Sequence, residues 1–395
     1  MSGNILIIHP LFEILGGGEL LALKTSQALR ESGFKVDVLT CMSIDLNLLK
    51  RLFGDIELPR IIIKRVKINN YISKFTHGRA VRLRRILIYR SLIPLINEYM
   101  EKYDLVIETQ SNLPMPVDIS YIHYPALVHF TVNAKKGLQW RIYNKLVELT
   151  AKPFKTPRTS KILTNSTWTA HMIYKTHRVI ADVVYPPVDI EYFNNFTHNE
   201  KDKIIVTTSR FTPEKNLEKI LDIAHSLLNY KFIITGSTGP GSERVLNTLE
   251  RKIEKLKLNN VEIKPNIPRH ELGKILSTAK YYLHPPFPEH FGISIIEAMA
   301  AGCIPIVYRD GGAWYDVVSK ISSILGYSDI GEIPVIIKKL EENRELYIKL
   351  KERSIEVSGE FNYENFKKKL LEKINYVLKV KHLDKFKTHT TLIDK

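Results

Sequence analysis

The chain of 395 residues has little cysteine, no long apolar run and a shortage of acidic charge. Its two cysteines, Cys41 and Cys303, lie in different halves, which excludes a disulfide-rich scaffold. No apolar stretch approaches the roughly 20 residues that a membrane-spanning helix needs. Residues 1–4 lead directly into a strand, without the apolar core of a signal peptide. We therefore expect a cytoplasmic protein with reduced thiols.

The net charge of +16 is unevenly distributed, because residues 58–97 contain no acidic side chain. Residues 79–93 read as an amphipathic helix inside this basic run. Arg79, Arg82 and Arg85 are predicted to face an anionic membrane surface, which would make the protein peripheral on the cytoplasmic face of a membrane. The alternative, which is compatible with the first, is a solvated basic face whose apolar side packs onto its own domain. Nucleic acid is not an expected partner, because no recognition motif accompanies the charge.

Length and pattern indicate two α/β domains. Short apolar strands alternate with helical patterns in both halves, which favours parallel sheets with helices on both faces. A Pro-rich break over 183–189 suggests the linker. We place the first domain at 1–185, the second at 186–361, and a terminal lysine-rich helix with its tail at 362–395, helical to about His382 and frayed after about Leu383.

The most informative segment runs from Pro288 to Gly302 and opens a helix. Its first free amides, from Gly292 through Ile293 to Ser294, are predicted to bind an anion such as phosphate. Glu289 and Glu297 flank these amides. Because carboxylates repel phosphate, both are expected to accept hydrogen bonds from hydroxyl groups. A diphosphate between two polyols describes a nucleotide sugar; the alternative is two ordinary solvated glutamates.

Two further turns have the composition of phosphate sites. Arg210 and Lys215 follow a predicted strand at 203–208, where open α/β sheets bind their ligands, and a helix is predicted from about Asn216 to Leu228. A guanidinium fork and an ammonium suit a diphosphate; the alternative is two solvated surface cations. Near the N-terminus, a strand is followed by Gly16-Gly17-Gly18 and a helix. This unit also suits phosphate approach, although the dinucleotide fingerprint Gly-x-Gly-x-x-Gly is absent.

The Glu-x7-Glu segment with its neighbouring Phe291-Gly292 resembles the signature of retaining glycosyltransferases of family 4, which have the GT-B fold. The spacing of Arg210 and Lys215 also matches that family. The resemblance implies two Rossmann-like domains facing a central cleft, with a C-terminal helix that crosses back to the first domain. A narrower likeness, carried by His9-Pro10, the glycine loop and residues 120–125, is to mannose-transferring members that act on lipid-linked glycans.

By this resemblance, Gly17 and Gly18 meet the donor diphosphate or the acceptor, Gly236 lies close to the nucleotide of the donor, and His123 orients the sugar near its anomeric carbon. Arg210, Lys215 and the 292–294 amides stabilise the departing diphosphate. Glu297 holds the ribose hydroxyls and Glu289 the sugar hydroxyls. The chain has no Asp-x-Asp, so neither a metal nor another cofactor is expected.

The predicted reaction is transfer of a hexose, mannose from GDP-mannose, to a lipid-linked or other glycan acceptor. One alternative is a retaining transferase that uses UDP-glucose, UDP-N-acetylglucosamine or another nucleotide sugar. An alternative of another class is a non-catalytic protein that binds polyanions or glycans. The residues do not decide between guanine and uracil, because a base can be read through the main chain alone.

Overall fold

The structure is a computed structural model that describes residues 3–12, 15–54, 56–64, 81–124, 141–142, 145, 160–198, 200–239 and 241–393. Within these ranges, side chains are described except at 81–86 and 384–393. Two parallel sheets account for the strands of this part of the chain, and the predicted α/β class is confirmed.

The first sheet lies in the N-terminal half and has, among the described residues, the order β3-β2-β1-β4-β5-β6-β7. All its pairings are parallel. This is the doubly wound order, in which the direction of winding reverses beside β1. Its strands are β1 Asn4–Ile8, β2 Lys35–Thr40, β3 Arg60–Ile63, β4 Leu105–Glu108, β5 Ile119–Ile122, β6 Lys161–Thr164 and β7 Asp182–Val183.

The second sheet repeats this order as β10-β9-β8-β11-β12-β13, again in parallel. Ligand sites in such sheets lie beyond the carboxyl ends of the strands at the reversal. Its strands are β8 Asp202–Thr208, β9 Lys231–Gly236, β10 Val261–Pro265, β11 Ala279–Leu283, β12 Ile304–Tyr308 and β13 Gly326–Tyr327.

Helices connect these strands. The α-helices are Gly17–Glu31, Leu46–Phe53, Val81–Lys102, Thr167–His177, Ile190–Asn194, Glu218–Ser226, Ser242–Leu256, Arg269–Thr278, Ile293–Ala300, Glu332–Glu342, Arg344–Ser358 and Tyr363–Ile393. Short 3-10 turns lie at Pro213–Lys215, Val318–Lys320, Ser323–Leu325 and Gly359–Phe361, and a π-helical turn at Ala313–Val317. The helix predicted from Asn216 begins two residues later, because a 3-10 turn ends at Asn216 in the left-handed conformation.

The chain crosses between the two hydrophobic cores over a few residues after β7. Val184 packs in a core of the first sheet and Val188 in that of the second. Tyr185 stacks on Phe291 at 5.6 Å between ring centroids and donates a hydrogen bond of 2.9 Å to Asp316. The crossing falls within the predicted linker, and the exact domain bounds stay a prediction.

The C-terminal helix returns to the first domain. Its apolar face packs into that domain's core through Phe366, Leu370, Ile374, Val377 and Leu378. Lys381 also forms a 2.9 Å ion pair with the buried carboxylate of Asp118. The expected crossing is therefore confirmed. The predicted end near His382 is wrong, because the helix continues to Ile393 in a segment without glycine or proline.

The predicted amphipathic helix begins at Val81 and runs to Lys102. Its buried positions are Ile88, Tyr89, Leu92, Ile96 and Tyr99. This face packs onto the first sheet. Arg79 lies outside the described residues, and the side chains of Arg82 and Arg85 are also outside them. Among the helices of the described ranges, none is both long and apolar enough to cross a membrane.

Candidate active site

A cleft of about 910 Å³ separates the two sheets at the carboxyl ends of their strands. It is lined by every residue predicted to bind the donor or to take part in catalysis: Gly17, Gly18, His123, Arg210, Lys215, Gly236, Glu289, Gly292, Ile293, Ser294 and Glu297. Their common location is observed, while their individual roles stay predictions.

The anion site predicted at the second glutamate motif is the N-terminus of the helix Ile293–Ala300. Gly292 is its N-cap, with a φ of 93°, in the left-handed region that glycine adopts without steric cost. The first amides of an α-helix have no partner within the helix, and Gly292, Ile293 and Ser294 all line the cleft. The Ser294 hydroxyl is already engaged with Tyr282 at 2.9 Å and with the Thr208 carbonyl at 3.2 Å. A ligand would therefore meet the backbone here and not the serine side chain.

Gly236 ends β9 and has the tightest surroundings of the predicted glycines. A Cβ at this position would lie 1.8 Å from the Ser209 carbonyl oxygen. No side chain fits that space, so the backbone of β9 can approach the turn after β8 closely. The turn that carries Arg210 is thereby held against the end of the neighbouring strand.

Lys215 and Glu289, which are distant in sequence, form an ion pair inside the cleft. The lysine Nζ lies 2.6 Å from the carboxylate, and their side chains are only 11% and 18% exposed. His284 Nε2 lies 3.2 Å from the same carboxylate oxygen. Burial alone would raise the pKa of Glu289, but the Lys215 charge and the His284 contact outweigh it and lower this pKa well below its ordinary value. Glu289 is therefore a carboxylate at neutral pH and a strong acceptor.

Glu297 has the opposite electrostatic environment. Burial raises its pKa to about 7, against the attraction of Arg269 and with the repulsion of Asp189. Arg269 forms a 2.7 Å ion pair with Asp189, so its positive charge is shared between Asp189 and Glu297. The two glutamates of the motif thus differ in protonation near neutral pH, a difference that their spacing does not reveal.

The first domain completes the cleft with its glycine loop and His123. A Cβ on Gly17 would lie 2.9 Å from Ile293 Cδ1, which shows how closely the two domains approach. His123 Nε2 lies 3.0 Å from the Thr109 carbonyl oxygen, so this nitrogen is the proton donor. Asn112, in the left-handed conformation, accepts hydrogen bonds from the amides of His123 and Tyr124. The histidine is therefore held by its own domain.

Arg210 is exposed at the rim of the cleft, whereas Lys215 is deeper.

Sequence reasoning missed His284, Asn112 and His290, all of which line or support the site. A signal existed for Asn112, since asparagine is the residue other than glycine that most readily adopts positive φ. His284 directly follows β11, and it meets Glu289 because this strand ends beside that loop.

Among the described residues, no group of three or more His, Cys, Asp or Glu side chains is arranged to hold a metal ion. The expectation of a metal-free site stays a prediction.

Comparison with known proteins identifies the second domain. Residues 188–357 match the family described as "Glycosyl transferases group 1". The human GDP-Man:Man(3)GlcNAc(2)-PP-Dol alpha-1,2-mannosyltransferase is 27% identical over 299 residues, which cover 66% of this chain and 61% of that protein. The mouse protein of the same name is 33% identical over 193 residues, covering 43% and 39%. The chain thus spans less than two thirds of the length of these relatives.

Two solved structures resemble the whole fold. The glycosyltransferase WaaG, involved in lipopolysaccharide biosynthesis, has a TM-score of 0.66 and 15% identity, covering 92% of this chain and 98% of its own. Anabaena HepE in complex with UDP and glucose has a TM-score of 0.67 and 15% identity, covering 94% and 99%. The predicted GT-B fold is confirmed, and residues 188–357 of this GT-B protein form a domain of the glycosyl transferases group 1 family.

Proposed function

We propose that the protein is a retaining glycosyltransferase that transfers mannose from GDP-mannose to a lipid-linked glycan. One observation carries the proposal: a single cleft brings together two cations, the free amides of a helix N-terminus and two partly buried glutamates. The choice of mannose and of a lipid-linked acceptor is supported by the similarity to proteins named as mannosyltransferases of dolichol-linked glycans. The fold alone does not choose a donor.

The diphosphate is proposed to bind between Arg210, Lys215 and the helix amides from Gly292 to Ser294. Lys215 and the helix amides are held in place before the ligand arrives, and preorganised donors stabilise the charge that develops on a leaving diphosphate. Lys215 bonds one oxygen of Glu289 and has further hydrogen-bonding capacity for a phosphate oxygen. It therefore has two tasks, since it also keeps Glu289 ionised.

Glu289 is proposed to accept hydrogen bonds from hydroxyls of the transferred sugar, and Glu297 from those of the ribose. His123 orients the sugar, with Gly17 and Gly18 providing a surface without side chains on the opposite side of the cleft. Nε2 of His123 donates to the Thr109 carbonyl, which fixes the orientation of the ring. The cations of the chain replace a metal in this scheme, and neither a metal nor another cofactor is required.

The protein is also proposed to be peripheral on the cytoplasmic face of a membrane, where a lipid-linked acceptor would be accessible. Juxtamembrane cations contribute about 1 kcal/mol each at an anionic lipid surface. Replacing Arg79, Arg82 and Arg85 together with Glu should abolish cosedimentation with phosphatidylserine vesicles and leave donor affinity unchanged. Vesicle binding that survives the triple replacement would remove this proposal.

Calorimetry with GDP, UDP, GDP-mannose, UDP-glucose and UDP-N-acetylglucosamine, in the presence and absence of EDTA, tests the function directly. Preferential binding of GDP and GDP-mannose, unaffected by EDTA, is expected. A preference for uridine ligands would retain the fold and overturn the donor. Binding that EDTA abolishes would overturn the metal-free scheme, and no binding by any of the five would overturn the enzyme proposal.

A further inference from the structure

His290 follows Glu289 and has a buried nitrogen that the protein does not satisfy. Its Nε2 is shielded from solvent and has no hydrogen-bond partner among the described residues. Leaving such a group unpaired is costly, so a buried polar atom of this kind calls for a partner. His177 has a similarly unpaired Nε2 but does not line the cleft. The unpaired atom therefore gains significance only from the surroundings of His290.

Aromatic rings from the first domain hold the imidazole in place at the cleft. The His290 ring lies 4.3 Å from that of Tyr124 at an angle of 13°, and 5.9 Å from that of Trp168 at 18°. Trp168 is itself fixed, because its Nε1 donates a 2.8 Å hydrogen bond to Asp310. Two near-parallel rings of the first domain thus restrict the imidazole of the second domain, and its unpaired nitrogen has a defined position.

The surroundings also select the kind of group that this nitrogen can bind. Burial lowers the pKa of His290 to about 4; the Glu289 charge opposes this shift, whereas the charges of Lys215 and Arg210 act in the same direction as burial. The imidazole is therefore neutral at pH 7, which makes it a poor partner for a phosphate. A hydroxyl group can both donate and accept a hydrogen bond, so it matches either neutral tautomer.

We propose that Nε2 of His290 binds a hydroxyl group of a sugar ring in the cleft. The inference rests on the proposed function and deepens it, because it assigns a sugar-binding residue to the loop between Glu289 and the helix amides. The donor hexose and the acceptor glycan both carry hydroxyl groups that could bind this nitrogen. Separate measurements of donor affinity and acceptor KM distinguish the two.

The test compares H290Q, H290N and H290F with H177F as the matched control. Glutamine extends a polar amide to about the distance of Nε2, whereas asparagine reaches only about as far as Nδ1. Donor affinity is measured by calorimetry without acceptor, and KM and kcat are measured in transfer assays. H290F should weaken one substrate constant by roughly tenfold, the effect of one lost hydrogen bond. H290Q should restore most of it, and H290N should not.

A weakened donor affinity in the absence of acceptor assigns the hydroxyl to the donor hexose. A raised acceptor KM with unchanged donor affinity assigns it to the acceptor glycan. Substrate constants of H290F equal to those of H177F overturn the inference. If H290F does not fold, equal substrate constants for H290Q and H290N overturn the inference instead. Failure of all three His290 variants to fold also overturns it. Failure of the wild-type protein to bind any nucleotide sugar is a different result, which overturns the proposed function itself.

Discussion

Replacing Glu297 with Gln is expected to stabilise the ligand-free protein above pH 7 while weakening its affinity for the donor. Burial raises the pKa of this carboxyl from its ordinary 4.5 to about 7, although Arg269 attracts the ionised form. At 1.36 kcal/mol per pKa unit, that interval corresponds to roughly 3 kcal/mol of unfavourable free energy at alkaline pH. Glutamine has a similar shape and no charge, so it removes the penalty.

The sign of the effect follows from proton binding. Between pH 4.5 and about 7 the folded protein binds more protons at Glu297 than the unfolded chain does, because the folded pKa is higher. Stability contributed by this group is therefore fully present below pH 4.5 and is lost as the pH rises through about 7. The variant should lack this loss, whereas its advantage should vanish at pH 4.5 and below.

Denaturant unfolding of wild type and E297Q between pH 4 and 8.5 measures the difference. Glu254→Gln is the matched control, since Glu254 is exposed on the helix Ser242–Leu256 and its replacement removes the same formal charge. Calorimetry with GDP at pH 8 supplies the second measurement. The expected result is a gain of stability for E297Q alone at pH 8, accompanied by weaker nucleotide binding.

Two outcomes would refute this reasoning. Equal pH profiles for E297Q and E254Q would mean that burial does not perturb Glu297. Unchanged nucleotide affinity of E297Q at pH 8 would show that this carboxylate does not hold the ribose, whatever its pKa.

The remaining predictions concern the cations and the domain contact. Lys215→Ala should reduce kcat by a factor on the order of 10² to 10³, as for loss of one preorganised donor. In the same steady-state assays, the control Lys219→Ala should have a near-normal kcat. Near-normal turnover of K215A would eliminate the phosphate role. Asp316 is 2% exposed and accepts hydrogen bonds from the Thr167 amide and hydroxyl across the domains. Asp316→Asn should cost about 1–3 kcal/mol of unfolding free energy, and an unchanged denaturation midpoint would contradict it.

Much of the fold could be predicted because its signals are local. Apolar runs such as Ile5–Ile8 and Phe232–Thr235 mark buried parallel strands, and Gly292 before an apolar helix marks a helix N-terminus. For the helix Val81–Lys102, only packing selects the buried side, because aromatic and aliphatic residues surround much of this helix.

The candidate site divides in the same way. By itself, the sequence determined which residue types lie near strand ends and helix starts, since those positions depend on neighbouring residues in the chain. Only the tertiary structure decided that Lys215 neutralises Glu289, that Glu297 has a pKa near 7, and that His290 stacks on Tyr124. Ion pairing, desolvation and ring stacking depend on neighbours in space, and here those neighbours come from distant parts of the chain and from both domains.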